Sequence, residues 1–560
     1  MIYLFLASII CSFIFFMAGS FLQFEKYNKI NKNQIAYYCH QSLLGIFFLS
    51  FVALLLNFIF PLNKAVNTIV IIIFIFHFII KNKLKIISNT NFLYYVIFSS
   101  IITFSLLILS ENFRPDSGLY HFPYVSILNN EKIIIGLSNI HFRFGHISII
   151  QYTSAFLNNY FLGLNGIVMP IACLASFIIL YLLSEVLFFL RSNNKLNINV
   201  IFCLLTLIFI TYKIKRYGEF GNDAPAHLLF FYLISIILNG NSDLFKKSLL
   251  ISIFIFLNKS TLIFAILIPI IFLKKDKFFN FHNFFSISFF LIWCLKNILI
   301  SSCLIYPLEK TCLTALTWHN DIYANSVKET SDGTEAWSKG WVDQKNERME
   351  YSKYNSNFNW IKTWSEKHLK YILSIIIPYI LFLAILLIIF KKKSESNYYK
   401  ISKIKNVFII KYILSILTIG LISWFLKAPL YRFGYSYFVN IINIIFSILI
   451  FKEINNTKKI KLKKIFYTLI FLMIFIFFST QVLRIVKNYN NDYSNYPWPK
   501  YFSFSKENNK VTTKPIYYNG NLFYFKSEFE CMYSEPPCTN TDVDKRLKLK
   551  IKNNYKVYYY

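Results

Sequence analysis

Long apolar runs recur along this chain, and they constrain its fold more than any other feature. MIYLFLASIICSFIFFMAGSFL (1–22) and YILSIIIPYILFLAILLIIF (371–390) carry no charge. Each matches the roughly 20 residues that a spanning helix needs. They are apolar on every side, whereas a helix on a soluble protein shows a single apolar stripe. Only 15% of the residues are charged, against about 25% in soluble domains. The expected fold class is all-α: a polytopic integral membrane helical bundle of about 12–14 transmembrane helices. Spans are expected near 1–22, 42–62, 66–80, 92–110, 165–190, 199–213, 225–239, 283–300, 370–390, 408–426, 436–451 and 465–483. Between 248 and 272 the run is broken by Asn258, Lys259 and Ser260, which predicts a hairpin of two half-spans. Residues 1–22 lack a basic leader and read as the first span, not as a cleaved signal. The chain divides into a membrane domain, 1–483, and a C-terminal region, 484–560.

The net charge of +32 does not indicate a nucleic-acid partner. The lysines sit in short loops between spans, where they set topology. The most basic loops, 23–41, 81–91, 191–198, 240–247, 273–282, 391–407 and 452–464, are then cytoplasmic. The other set is external: 111–146, 214–224, 301–369, 427–435 and the tail. This predicts a multi-pass protein of a bacterial inner membrane with a periplasmic working face.

Two residue types test that assignment. Five of the nine cysteines (Cys11, Cys39, Cys173, Cys203, Cys294) lie in or beside spans and read as small buried hydrophobes. The other four form two close pairs, Cys303/Cys312 and Cys531/Cys538, both in external segments, as disulfides in an oxidising compartment would be. Arginine is the second. Lysines outnumber arginines 51 to 8, yet seven of the eight arginines lie on the external face. A positive-inside bias predicts the reverse. Something outside favours a planar, bidentate guanidinium, and phosphate or carboxylate is the usual reason.

The densest chemistry is in 111–146, ENFRPDSGLYHFPYVSILNNEKIIIGLSNIHFRFGH. It holds Arg114, Asp116, His121, Glu131, His141, Arg143 and His146. Pro115 and Gly118 set a bend that holds Asp116 near a span end; a plain helix N-cap is the alternative role for that residue. KRYGEFGNDAPAH (215–227) adds Glu219, Asp223 and His227 between two short runs, at a depth where irregular backbone must line a cavity or be buried. KAPLYRFGY (427–435) places Lys427 and Arg432 around a turn, an anion-binding corner or an interfacial anchor. The loop 301–369 carries Trp318, Trp337, Trp341, Trp360 and Trp364, which suit sugar or lipid contact and equally suit anchoring at a bilayer. No P-loop, HExxH or GxSxG motif is present. Lys259 is the one ionisable residue placed to serve an ion-coupled transporter.

Acids in the first large external loop, a second acidic loop, broken spans and a late arginine turn resemble the GT-C superfamily. These are polytopic glycosyltransferases that use polyprenyl-phosphate-linked sugars. The blocks DSGLYH, GLSNIHFRFG and Cx6CT also look like a family of uncharacterised bacterial multi-pass membrane proteins, over most of the chain. The GT-C first loop follows the first span, whereas this one follows the fourth.

The GT-C resemblance implies inverting sugar transfer to a cell-surface glycan or lipid acceptor, with Asp116 as general base. Asp223 would orient the acceptor or help bind a divalent metal, Mg or Mn. Arg114, His121, His141, Arg143, Glu219, His227, Lys427 and Arg432 are the expected substrate contacts. A polysaccharide polymerase or ligase, and a lipid-linked glycan flippase, are the alternatives. A shared site requires Asp116, Asp223 and Arg432 to fall within about 10–12 Å around one cavity.

Overall fold

A computed structural model describes residues 1–23, 33–81, 87–110, 116–191, 196–213, 221, 223–240, 243–273, 280–321, 326–341, 350–391, 407–454, 459–489, 496–499 and 511–560. Nine helices among them are long and apolar enough to cross a membrane, so the chain is a multi-pass membrane protein. Three other expected spans, Lys64–Ile80, Ile198–Lys213 and Asp223–Asn239, and one half of the expected hairpin, Ser260–Phe272, form shorter apolar helices of 10–17 residues. At about 1.5 Å per residue in the α-helices and about 2.0 Å in the 3-10 helix, these fall short of the roughly 30 Å hydrocarbon core.

Asparagine starts several of the helices. Asn33, Asn63, Asn89 and Asn280 each accept a backbone N–H from the first turn of the helix that follows, and so satisfy a donor with no partner in its own helix. The Gly163–Arg191 span lies at the centre, 94% buried, while Ile361–Lys391 and Leu462–Asn488 are 28% and 22% buried and lie at the periphery. The helices Ile2–Gly19 and Gln34–Asn57 cross with their backbones nearly touching. A Cβ on Gly19 would lie 1.8 Å from the Gln41 carbonyl oxygen, and one on Gly45 1.7 Å from that of Phe15.

The expected hairpin is present. The helix Leu244–Asn258 ends at Asn258, Lys259 is extended, and a 3-10 helix, Ser260–Phe272, packs back against it. Its tip is tied down on two sides. Asn258 Oδ1 accepts from Ser148 Oγ at 2.7 Å, and Thr261 Oγ1 donates to the Phe433 carbonyl at 3.1 Å.

The tail corrects the all-α expectation. Thr513–Tyr518 and Asn521–Ser527 form an antiparallel hairpin, joined in parallel by Cys538–Thr539, and Lys548–Lys552 pairs with Tyr555–Tyr559. The cause is local: Asn519-Gly520 and Asn553-Asn554 take positive φ between alternating aromatic and polar residues, the signature of a tight hairpin. The tail packs on the membrane domain: Ile135 bridges to Val557, and Lys556 Nζ lies 2.6 Å from Glu131 Oε1. Glu131 thus holds the tail.

Candidate functional site

Four segments distant in sequence meet at one end of the bundle. Asp116 precedes a π-helical turn, Ser117–His121, at its N-cap position, yet its side chain makes no capping bond. Its carboxylate faces two arginines instead: Arg432 Nη1 at 3.0 Å from Oδ2 and Arg143 Nη1 at 3.5 Å from Oδ1. Asp223 opens the helix Asp223–Asn239. It pairs with Lys259 at the hairpin tip, and its Oδ2 lies 3.9 Å from Arg432 Nε. Arg432 therefore bridges the two acids, which brings Asp116, Asp223 and Arg432 together more closely than a shared site demands.

Two carboxylates face three cations, so this cluster is one positive charge in excess. Burial raises the Asp116 carboxyl, and the Arg432 and Arg143 charges outweigh that and hold it below the usual aspartate value. Aromatic rings wall in the cations. Lys259 Nζ lies 4.1 Å from the Phe433 ring centroid, Arg143 Cζ 5.1 Å from that of Tyr120, and Arg432 Cζ 5.3 Å from that of Trp337, favourable positions over the electron-rich ring faces. The cluster lines a cavity of about 1050 Å³.

Two histidines position the cluster. His227 is fully buried and does not line the cavity. Its Nε2 donates to the Arg432 carbonyl at 2.9 Å, because a carbonyl only accepts, and its Nδ1 then accepts from Ser436 Oγ at 2.6 Å. It fixes the Arg432 backbone instead of meeting a ligand. His141 also stays off the cavity wall, buried beside Phe142 and Phe144. Its Nδ1 accepts the Arg143 backbone N–H at 3.2 Å and so orients that turn. His121 does reach the cavity, and Gln151 Nε2 lies 2.6 Å from its Nδ1. Burial pulls both His121 and His141 down to about 4.

Lys427 is not at the site. Its side chain is 73% exposed, drawn outward to Glu335 Oε2 at 3.1 Å. Arg114 and Glu219 lie outside the described residues. Of the five tryptophans of 301–369, only Trp337 lines the cavity. Trp318 and Trp364 donate their indole N–H to the Ile298 and Pro429 carbonyls at 2.8 Å, and Trp360 is buried. Sequence reasoning left Lys259 outside the composite site; a lysine interrupting an apolar run was the signal for it.

Among the described residues the carboxylates do not gather a metal-binding set. Asp116 and Asp223 each already face cations. Among the described residues the one group of three close metal-ligand side chains is Cys303, Cys312 and His319, and its two cysteines are bonded to each other. Cys531 and Cys538 form the second disulfide, so each pair closes within its own segment. The other five cysteines are free and buried.

The family described as Domain of unknown function (DUF8201) matches residues 1–439 of the 560. The chain belongs to the DUF8201 family. No curated protein and no solved structure matches it. The DUF8201 region contains Asp116, Arg143, Asp223, Lys259 and Arg432, and leaves the stranded tail outside.

Proposed function

We propose that this DUF8201 protein is a membrane glycosyltransferase that moves a sugar from a polyprenyl-phosphate donor to an acceptor hydroxyl on the periplasmic face. The observation that carries the reading is the bridge of Arg432 between Asp116 and Asp223, with Lys259 and Arg143 alongside, in a roomy cavity. A lipid-phosphate leaving group gains negative charge as its bond to the sugar breaks, and preorganised cations beside it lower that barrier. The excess positive charge of the cluster suits an anionic donor.

The acceptor oxygen bonds to the anomeric carbon as the bond to phosphate breaks. The electron pair leaves on the lipid phosphate, the acceptor proton passes to Asp116, and the anomeric centre inverts. Paired with two arginines, Asp116 is a weak base. A bound phosphate competes for the same guanidiniums, relaxes that pairing and raises the basicity of the carboxylate, so proton abstraction waits for the donor. Asp116 and Asp223 already spend their oxygens on cations, and no step is routed through a metal.

The test is purified protein in lipid, given labelled polyprenyl-phosphate sugars and candidate glycan or lipid acceptors. Wild type transfers label, and Asp116→Asn lowers the rate by about 10²–10⁴-fold, the usual contribution of a positioned base, with the fold intact. Absence of transfer across a broad donor panel, or movement of intact lipid-linked glycan across the membrane without bond cleavage, overturns the reading.

A further inference from the structure

The cavity has a second wall whose chemistry differs from the charged cluster. It is built by the helix Val327–Ser338 of the 301–369 loop, with Glu329, Gly333, Thr334 and Trp337 on the cavity and Tyr351 beside them. Glu329, Gly333 and Trp337 are four residues apart and so share one helix face. Ser326 caps the helix by accepting the Glu329 backbone N–H at 3.3 Å. Another part of the helix anchors it. Glu335 pairs with Lys339 at 2.5 Å and with Lys427 at 3.1 Å, and Ser338 Oγ donates to the Lys427 carbonyl at 3.4 Å.

The anchoring residues use up their polar groups; the cavity face does not. Among the described residues the Glu329 carboxylate, the Thr334 hydroxyl, the Trp337 indole N–H and the Tyr351 hydroxyl have no hydrogen-bond or ion-pair partner. Trp337 is 48% exposed. Gly333 leaves a notch between Glu329 and Trp337, and a Cβ there would lie 3.3 Å from the Tyr351 ring. The wall therefore offers an acceptor, two groups that both donate and accept, a donor, and aromatic faces.

We infer that this wall is a carbohydrate-binding subsite that holds the acceptor, an inference that rests on the glycosyl-transfer reading above. A sugar ring presents hydroxyls that donate and accept together with weakly positive C–H faces that pack on aromatic rings. A phosphate has no use for a wall carrying a free carboxylate, and an acyl chain none for four open polar groups. The position fits as well. Arg432 Cζ lies over one face of the Trp337 ring, 5.3 Å from its centroid, so a sugar stacked on the other face is one ring away from the Arg432–Asp116 pair. At about 1050 Å³ the cavity stands at the top of the roughly 300–1,000 Å³ range of ligand pockets, and the charged cluster and this wall line it together.

The full chain in lipid nanodiscs is applied to an array of neutral and anionic oligosaccharides. Wild type retains a subset of these glycans. Trp337→Ala lowers affinity for that subset by about tenfold, the scale of one well-placed aromatic contact; Trp337→Phe keeps most of it, and Glu329→Gln shifts which glycans are held. Glu329→Gln keeps the wild-type melting temperature, because its carboxylate makes no hydrogen bond, and Trp337→Phe, which keeps a ring beside Arg432 and Phe433, controls for the packing that Trp337→Ala removes. Retention of no glycan, or equal retention by wild type, Trp337→Ala and Glu329→Gln, overturns the subsite. Trp337-dependent retention without any transfer from lipid-phosphate sugars refutes the glycosyl-transfer reading and leaves the subsite standing. Transfer to a lipid acceptor with an unchanged KM in Trp337→Ala does the reverse.

Discussion

Removing Lys259 takes the nearest counter-charge from an acid that is only partly open to the cavity. The Lys259 side chain is 8% exposed and that of its partner Asp223 28%. Breaking such a pair from one side costs about 3–5 kcal/mol, because the remaining charge keeps its desolvation penalty and loses its compensation. In Lys259→Met, Asp223 still has Arg432 at 3.9 Å, which sets the cost near the lower end, about 3 kcal/mol. In Asp223→Leu the ammonium is left beside Arg432, but the Phe433 ring at 4.1 Å offsets part of the penalty, and about 3 kcal/mol is again expected. The double variant removes both charges and replaces them with apolar groups of similar size, which is often close to neutral, so about 1–2 kcal/mol remains. The coupling energy is therefore about 4–5 kcal/mol. Unfolding in mixed micelles under increasing denaturant, followed by tryptophan fluorescence, gives all three values. Additivity of the single variants to within about 0.5 kcal/mol would refute the Lys259–Asp223 pair as an energetically coupled unit.

Other changes act at a distance from the charges. A Cβ on Gly45 meets the Phe15 backbone oxygen at 1.7 Å, and no side-chain rotamer relieves a clash with backbone. Gly45→Leu should therefore cost about 3 kcal/mol or more, seen as a lower melting temperature; a wild-type value would show that the two helices do not pack this closely. His121 and His141 are held at about 4 by burial, below the value near 6.5 of an unfolded chain. Their stability contribution is complete above about pH 6.5 and is lost as pH falls toward 4, since only the unfolded state takes up those protons early. Between pH 7.5 and 5.5 the loss is roughly 2–3 kcal/mol for the pair, and His121→Gln with His141→Asn should make the melting-temperature profile less steep over that window; an unchanged slope would refute the reasoning.

The membrane class was legible because a run apolar on all sides leaves few alternatives. The hairpin was legible as well: Asn258-Lys259-Ser260 interrupts a run whose two flanks carry lysines that favour the same side. The small sheet was not anticipated, although Asn519-Gly520 between alternating residues announces it; an apolar fraction of 56% directs attention to helices. Among candidate site residues, two of the three arginines can be placed, since Arg114 lies outside the described residues. Arg143 and Arg432 both reach the cavity, whereas the lysine chosen beside them, Lys427, does not. Histidines were read as contacts, yet His141 and His227 spend their ring nitrogens on backbone and hydroxyl groups. Sequence cannot distinguish a histidine that touches a ligand from one that orients its neighbour, because both must be polar and near the site.

That contrast bears on Arg432. This chain uses lysine for 51 of its 59 basic residues, so an arginine that persists has to do what an ammonium does not. Arg432 reaches Asp116 through Nη1 at 3.0 Å and Asp223 through Nε at 3.9 Å, two edges of one planar group. A lysine is a single point on a flexible stem and can sit close to one acid only. Arg432→Lys keeps the charge and gives up the bridge. If the bridge is what the site needs, transfer falls by 100-fold or more in order of magnitude, about 3 kcal/mol of lost transition-state stabilisation. Protein yield and melting temperature stay near wild type, since His227 still holds the backbone carbonyl of residue 432. Near-wild-type transfer by Arg432→Lys would mean that charge alone suffices, and the geometric argument for Arg432 would fall with it.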